Sequence, residues 1–225
     1  MTTSVAKTSS AAIAARSHIK EFLERMDPIR ARLIVAIDAT ASREPTWDMA
    51  AGLTAQMFET AAAIGNLSIQ LIYYRGYREC SASGWLTDAP ALIAAMRRVR
   101  CEGGHTQIGR VLDHVRKEHS REKVAALVLV SDSCEEDAGD LFKRATELGV
   151  PCFLFQEGTS KEVSRIYEEI AKLTKGAHCT FDAGAAQRLA DLLKAVAAFA
   201  AGGIKALASQ NSDAARLLLT QLKKD

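Results

Sequence analysis

Leu33-Ile34-Val35-Ala36-Ile37-Asp38-Ala39-Thr40-Ala41-Ser42 is the stretch on which the fold turns. Its first five residues form a short, unbroken apolar run, which marks a strand covered on both faces. Asp38 closes the run and opens a loop that extends to Thr46. Beyond the loop, Pro45 suits a helix start, and Trp47, Ala51, Thr54, Phe58 and Ala61 recur at helical spacing. Gly65-Asn66 fits the helix end. Leu67 to Tyr74 reads as a second strand, and Arg75-Gly76 as a turn into a short third strand, Tyr77 to Ser81. Asp88 caps a helix with Leu92, Met96 and Val99 on one face, and Gly103-Gly104 breaks it. Thr106 opens another helix, marked by Ile108, Val111, Leu112 and Val115.

Val124 to Val130 is a second fully apolar strand, and Asp132 follows it closely. A polar, acidic loop leads into a helix through Leu141 and Leu148 that Gly149 ends. Val150 to Phe155 reads as a buried strand, Val163 to Leu173 as a helix ended by Gly176, and His178 to Phe181 as a last strand. Leu189, Leu192, Leu193, Val196 and Phe199 define a helix that stops at Gly202-Gly203. This alternation predicts an α/β fold: a doubly wound, mostly parallel six-stranded sheet with helices on both faces. The expected strand order is 3-2-1-4-5-6, with one short antiparallel edge strand. The organisation divides into an N-terminal helical extension over 1–30, the α/β domain over 31–203, and a C-terminal amphipathic helix over 204–225. Leu207, Leu217, Leu218 and Leu222 form the apolar side of that helix, which suits packing on the domain or on a partner.

The totals agree with a single globular unit. The chain has 225 residues, 48% hydrophobic and 25% charged, with a net charge of +2. No basic run interleaved with aromatics gives the footprint of a nucleic-acid binder. The five cysteines, Cys80, Cys101, Cys134, Cys152 and Cys179, lack C-x-x-C spacing, which argues against a zinc knuckle or a disulfide framework. The sequence carries no apolar run near the roughly 20 residues of a membrane span, and the expectation is a cytoplasmic protein.

Three segments gather chemistry at predicted element ends: Asp38, Thr40 and Ser42 after the first strand, Thr106 before a helix, and Asp132 after Val124 to Val130. In a doubly wound sheet, ligands bind beyond the carboxyl ends of the strands, where the strand order reverses. Strands one and four meet at that reversal, which places Asp38 and Asp132 on one crevice. Two acids and three hydroxyls are a hard, all-oxygen donor set. It suits Mg²⁺, with Mn²⁺ or Ca²⁺ as alternatives, and disfavours Zn²⁺. Hydroxyl donors add no formal charge, so the ion keeps its attraction for one more anionic oxygen. The alternation in Asp38-x-Thr40-x-Ser42 sets the three donors on one side of an extended loop. Each piece has a plainer reading when taken alone: Asp38 and Thr106 as caps, Gly103-Gly104 as a breaker.

The pattern resembles the von Willebrand factor A domain, the integrin I-type domain. Its metal-ion-dependent adhesion site reads D-x-S-x-S, a distant T and a distant D. Asp38-x-Thr40-x-Ser42, Thr106 and Asp132 match it in turn, and the G-G-x-T-x-x-G stretch around Thr106 is similar as well. The resemblance spans roughly Arg32 to Phe199. It implies that Thr40, Ser42 and Thr106 ligate the metal directly, and that Asp38 and Asp132 do so directly or through water. It also implies a protein-interaction module that captures a partner's Asp or Glu carboxylate, in some relatives beside an AAA-type ATPase. Two positions depart from the pattern. Thr40 replaces serine, adding a methyl group and a stiffer χ1, and Ser133 stands where glycine commonly follows the acid.

Arg43, Glu44 and His105 flank these positions as candidate partner contacts. Glu135, Glu136 and Asp137 read either as a solvated acidic loop or as residues that raise cation affinity. Tyr73, Tyr74 and Tyr77 read as strand packing. Two other functions stay open on the residues alone. A Mg²⁺-dependent phosphohydrolase or phosphoryl-transfer domain is one, although the chain lacks a G-x-x-x-x-G-K-[ST] loop, a G-x-S-x-G elbow and a D-x-D pair. A metal-free scaffold, with the same side chains hydrogen-bonding the crevice closed, is the other.

Overall fold

Six strands form one sheet in the order β3-β2-β1-β4-β5-β6. They are β1 (Ala31–Asp38), β2 (Leu67–Arg75), β3 (Glu79–Leu86), β4 (Ala126–Ser131), β5 (Cys152–Glu157) and β6 (Ala177–Phe181). All neighbours run parallel except β2 and β3, which pair antiparallel with a register irregularity between Gln70 and Ile72. The structure is a computed structural model, and it describes residues 30–49, 52, 67–182 and 186–222. The expected extension over 1–30 falls almost wholly outside the described residues. So does most of the helix expected through Ala51, Thr54, Phe58 and Ala61, of which residues 44–49 are described and helical.

Side chains alternate along a strand, so a strand buried on both faces needs apolar residues at every position. In β1, Leu33, Val35 and Ile37 enter one apolar layer while Ile34 and Ala36 enter the other. The first layer is closed by α1 (Ala89–Arg97), α5 (Ala186–Ala208) and α6 (Asp213–Leu222), together with Trp47. The second is closed by α2 (Ile108–Arg121), α3 (Ala138–Thr146) and α4 (Lys161–Leu173).

Local chemistry sets the helix ends. The carboxylates of Asp88 and Asp137 and the Ser160 hydroxyl cap α1, α3 and α4, each accepting from a backbone N–H in the first turn. The backbone leaves helical geometry at Gly202 and Gly203, the latter with φ of 65°, so α5 breaks where Gly202-Gly203 predicted it. α6 folds back onto the sheet and buries Ala215 and Leu218. Its Gln221 amide accepts from the His178 N–H and donates to the His178 carbonyl, both at 2.8 Å, covering part of the free β6 edge as a strand would. The C-terminal helix therefore packs on its own domain.

Two strand expectations are corrected. The third strand covers Glu79–Leu86 rather than Tyr77 to Ser81, because β2 offers a long open edge and Trp85 and Leu86 add apolar cover. Tyr77 falls in the preceding turn and is 75% exposed, so it does not pack the strand. All five cysteines are free, and burial pushes the Cys80, Cys134 and Cys179 thiols up to about 11 and that of Cys152 to about 12. Among the described residues, no single helix is long and apolar enough to cross a membrane.

Candidate functional site

The carboxyl end of β1 lies between those of β2 and β4: Asp38 pairs with Tyr74 and Ile37 with Val130. That register carries the loop after Asp38 into the crevice where the strand order reverses. Asp38 is fully buried. One oxygen, Oδ1, accepts from the Thr40 N–H at 2.8 Å, and the other, Oδ2, accepts from the Ser131 hydroxyl at 2.7 Å and the Tyr74 hydroxyl at 3.2 Å. Burial raises the Asp38 carboxyl above its ordinary range. The Thr40 and Ser131 hydrogen bonds oppose that rise, and the Asp132 charge adds to it. Neither Ser131 nor Tyr74 stood out in the sequence, since one reads as a strand terminus and the other as an apolar filler.

Thr40 and Ser42 turn their hydroxyls toward each other, 3.1 Å apart. The Arg43 N–H donates to the Thr40 carbonyl at 2.9 Å and closes a short 3₁₀ turn, Ala41–Arg43. Thr106 is buried two residues before α2, which starts at Ile108 with Gln107 as its cap residue, so Thr106 does not itself open the helix. The Thr106 hydroxyl accepts from the Glu135 N–H at 3.0 Å, and the Glu135 carboxylate accepts from the Thr106 N–H at 2.8 Å. Glu136 accepts from the N–H groups of Ile108 and Gly109, the second at 2.8 Å. These two acids are thus tied down: one clamps the Thr106 loop and the other caps α2, where the helix dipole favours a carboxylate. On the sequence alone both read as solvated or as raising cation affinity.

Asp132 lies just past the end of β4, which stops at Ser131. Its Oδ1 is buried and has no hydrogen-bond partner among the described residues. Ser133 does not disturb the loop: its φ is not positive, and its carbonyl is held by the Tyr167 hydroxyl at 2.9 Å. The structure thus gathers the loops of Asp38, Thr106 and Asp132 at one end of the sheet.

The flanking residues divide. Glu44 and His105 are exposed, and His105 lies edge-on to the Tyr77 ring at 5.2 Å. Arg43 is 1% exposed and pairs with Glu157 at the carboxyl end of β5. That burial takes it out of a partner's reach and corrects its reading as a partner contact.

The donor set fits a hard divalent cation. Two oxygens about 2.1 Å from a Mg²⁺ ion, in directions at right angles, lie about 3.0 Å apart, close to the separation of the Thr40 and Ser42 hydroxyls. The orphaned Asp132 oxygen is a buried acceptor in need of a positive partner. Among the described residues no three His, Cys, Asp or Glu side chains cluster as ligands, so such a site relies on its hydroxyls.

No protein-family model and no curated protein matches the sequence. Solved structures do match. A von Willebrand factor type A protein from Catenulispora acidiphila superposes with a TM-score of 0.56 at 18% identity, over 76% of this chain and 42% of that one. The chain has the von Willebrand factor A fold. The SpRpn10 VWA domain gives a TM-score of 0.60 at 11% identity, over 72% of this chain and 95% of that domain. An aerotolerance-related membrane protein from Bacteroides fragilis gives 0.54 at 15%, over 72% and 96%. At these identities the likeness concerns the von Willebrand factor A fold alone.

Proposed function

We propose that the chain is a metal-dependent protein-interaction module rather than an enzyme. Thr40, Ser42 and Thr106 hold a Mg²⁺ ion through their hydroxyls, and Asp38 and Asp132 hold it directly or through water. Mn²⁺ and Ca²⁺ are the alternatives in the same donor chemistry. The observation that carries this reading is the buried, partnerless Asp132 oxygen, on the same crevice as a converging pair of hydroxyls. Asp38, with Oδ2 already accepting from two hydroxyls, suits a water-mediated position better than a direct one. Bound there, the ion supplies a Lewis-acidic position for one external anionic oxygen. A partner Asp or Glu carboxylate provides that oxygen. The chain's own part is to orient five oxygen donors and to leave the ion under-neutralised. Exposed Glu44 and His105 form the rim that the partner meets. A protein partner within a larger assembly, including one built on an AAA-type ATPase, fits this reading.

The test has two arms. Chelator-treated protein is titrated with MgCl₂ and MnCl₂ by calorimetry. Asp132→Asn, which keeps the side-chain shape, is expected to weaken binding at least about tenfold, since a charged ligand is replaced by a neutral one. Its circular dichroism spectrum should match the parent's. In the second arm, partner capture is compared in Mg²⁺ and in EDTA. Retention that survives EDTA undiminished would remove metal-dependent capture.

A further inference from the structure

Among the described residues Arg43 is the largest fully buried side chain, and it lies on the crevice. It leaves the loop after β1 and reaches Glu157 at the end of β5. β4 lies between those two strands in the sheet, so the side chain spans the end of β4, which Asp132 follows. Among the described residues its Nη1 meets Glu157, whereas Nε and Nη2 have no hydrogen-bond acceptor, and Asp132 Oδ1 lacks a donor. A buried guanidinium with only one of its three nitrogens paired is costly unless nearby negative charge offsets it. Three carboxylates, Asp38, Asp132 and Glu157, supply that charge, and a single guanidinium leaves them in excess. The charges of Asp132 and then Asp38 counter the effect of burial, which lowers the Arg43 pKa.

We propose that Arg43 is a resident counter-cation of the crevice: it balances the acids in the metal-free protein and competes with an entering divalent ion for Asp132. The metal half of this inference rests on the function proposed above; the metal-free half does not. Arg43 thereby sets the affinity of the site. The donor set by itself would hold an ion more tightly than the protein does, and the crevice keeps its shape when the ion leaves. The position is specific to charge. Lysine preserves the compensation, whereas methionine keeps the bulk and removes it.

Chelator-treated protein, Arg43→Met and Arg43→Lys are each titrated with MnCl₂. Removing a unit positive charge this close to a divalent ion is expected to tighten binding by about tenfold or more, as Coulomb repulsion at intermediate dielectric implies. Arg43→Lys should stay within about threefold of the parent, because its charge is retained. In EDTA, Arg43→Met should unfold at lower urea than the parent, and adding Asp132→Asn should recover part of the loss, a coupling that needs no metal. If the parent takes up no Mn²⁺ while Arg43→Met does, the counter-cation stands and the metal-dependent function falls. Where the parent does take up Mn²⁺, equal or weaker uptake by Arg43→Met overturns the counter-cation and leaves that function standing. Where neither protein takes up the ion, the urea cycle decides, and additive effects overturn the proposal. Arg43→Gln replaces Arg43→Met in both arms if the methionine variant does not fold.

Discussion

Asp38 shows how much of this crevice depends on single atoms. Its carboxylate is fully buried and is held by Thr40, Ser131 and Tyr74 through three hydrogen bonds. Hydrogen bonds to a buried charge are worth more than neutral ones, and losing one leaves the charge undersatisfied. Ser131→Ala is therefore expected to cost about 1–3 kcal/mol of stability by urea unfolding, with Asp38 Oδ2 left on the longer Tyr74 contact alone. A change near zero would mean that Ser131 is not the main support of Asp38. At this scale the sequence disclosed the five oxygen-bearing candidates, because they sit at element ends where polar residues stand out against apolar runs. It did not disclose their supports. Ser131 is 93 residues from Asp38, and no local pattern links them. Arg43 misled for the same reason: a charged residue in a loop reads as exposed until its buried partner is known.

Elements meet the site through close backbone contacts. Gly103-Gly104 reads as a helix breaker, yet α1 has already ended at Arg97 and the two glycines differ in role. A Cβ on Gly104 would lie 2.0 Å from the Gly76 carbonyl oxygen, whereas one on Gly103 would meet nothing within 4 Å. The His105 N–H also donates to that Gly76 carbonyl, at 3.1 Å. Gly104 is thus what lets the segment before Thr106 lie against the β2–β3 turn. Gly104→Ala should cost about 1–3 kcal/mol, the usual range for overpacking a tight contact, and should weaken Mn²⁺ binding by moving Thr106. Gly103→Ala should stay within about 0.5 kcal/mol of the parent, as a surface change does. Thermal melts and Mn²⁺ titrations of both variants check this, and similar behaviour of the pair would refute the assigned close approach. The third strand depends on its neighbour in a related way. Its serines and glycine have weak strand preference, and only the open edge of β2 makes Glu79–Leu86 extended.

At the scale of the whole molecule, two histidines couple the packing to pH. Burial lowers the pKa of both His114 and His178 below the ordinary 6.5. His114 bonds the Gln70 amide oxygen at 2.9 Å and His178 that of Gln156 at 3.0 Å, each through Nε2. With a depressed folded pKa, the unfolded chain binds protons first as pH falls. Their contribution is therefore complete above 6.5 and is lost as pH drops from there toward the folded values. Glu79 and Glu118, lowered from 4.5 (Glu79 by the Arg75 hydrogen bond, Glu118 by hydrogen bonds from Trp85 and Arg121 against the opposing effect of burial), act in the same direction in a more acidic window. Asp38 and Glu136, raised by burial, act in the opposite direction. The histidine effect is thus read as a difference. Between pH 7.5 and 5.5, the urea midpoint of the parent should fall relative to that of His114→Gln/His178→Gln. Parallel profiles would show that neither histidine is coupled to folding.

The sequence alone determined the alternation of strands and helices, the doubly wound sheet and its order, because unbroken apolar runs and helical spacing are local signals and chain connectivity admits few topologies. It also determined which oxygen-bearing side chains stand at the strand ends. Tertiary structure decided what those side chains face. It buried Arg43 against Glu157, set Ser131 and Tyr74 under Asp38, and turned Glu135 and Glu136 into clamps on the Thr106 loop. Periodicity tells a residue which face to present, whereas the cost of burying a charge is met by whatever group the fold brings alongside it, and that group is distant in the chain.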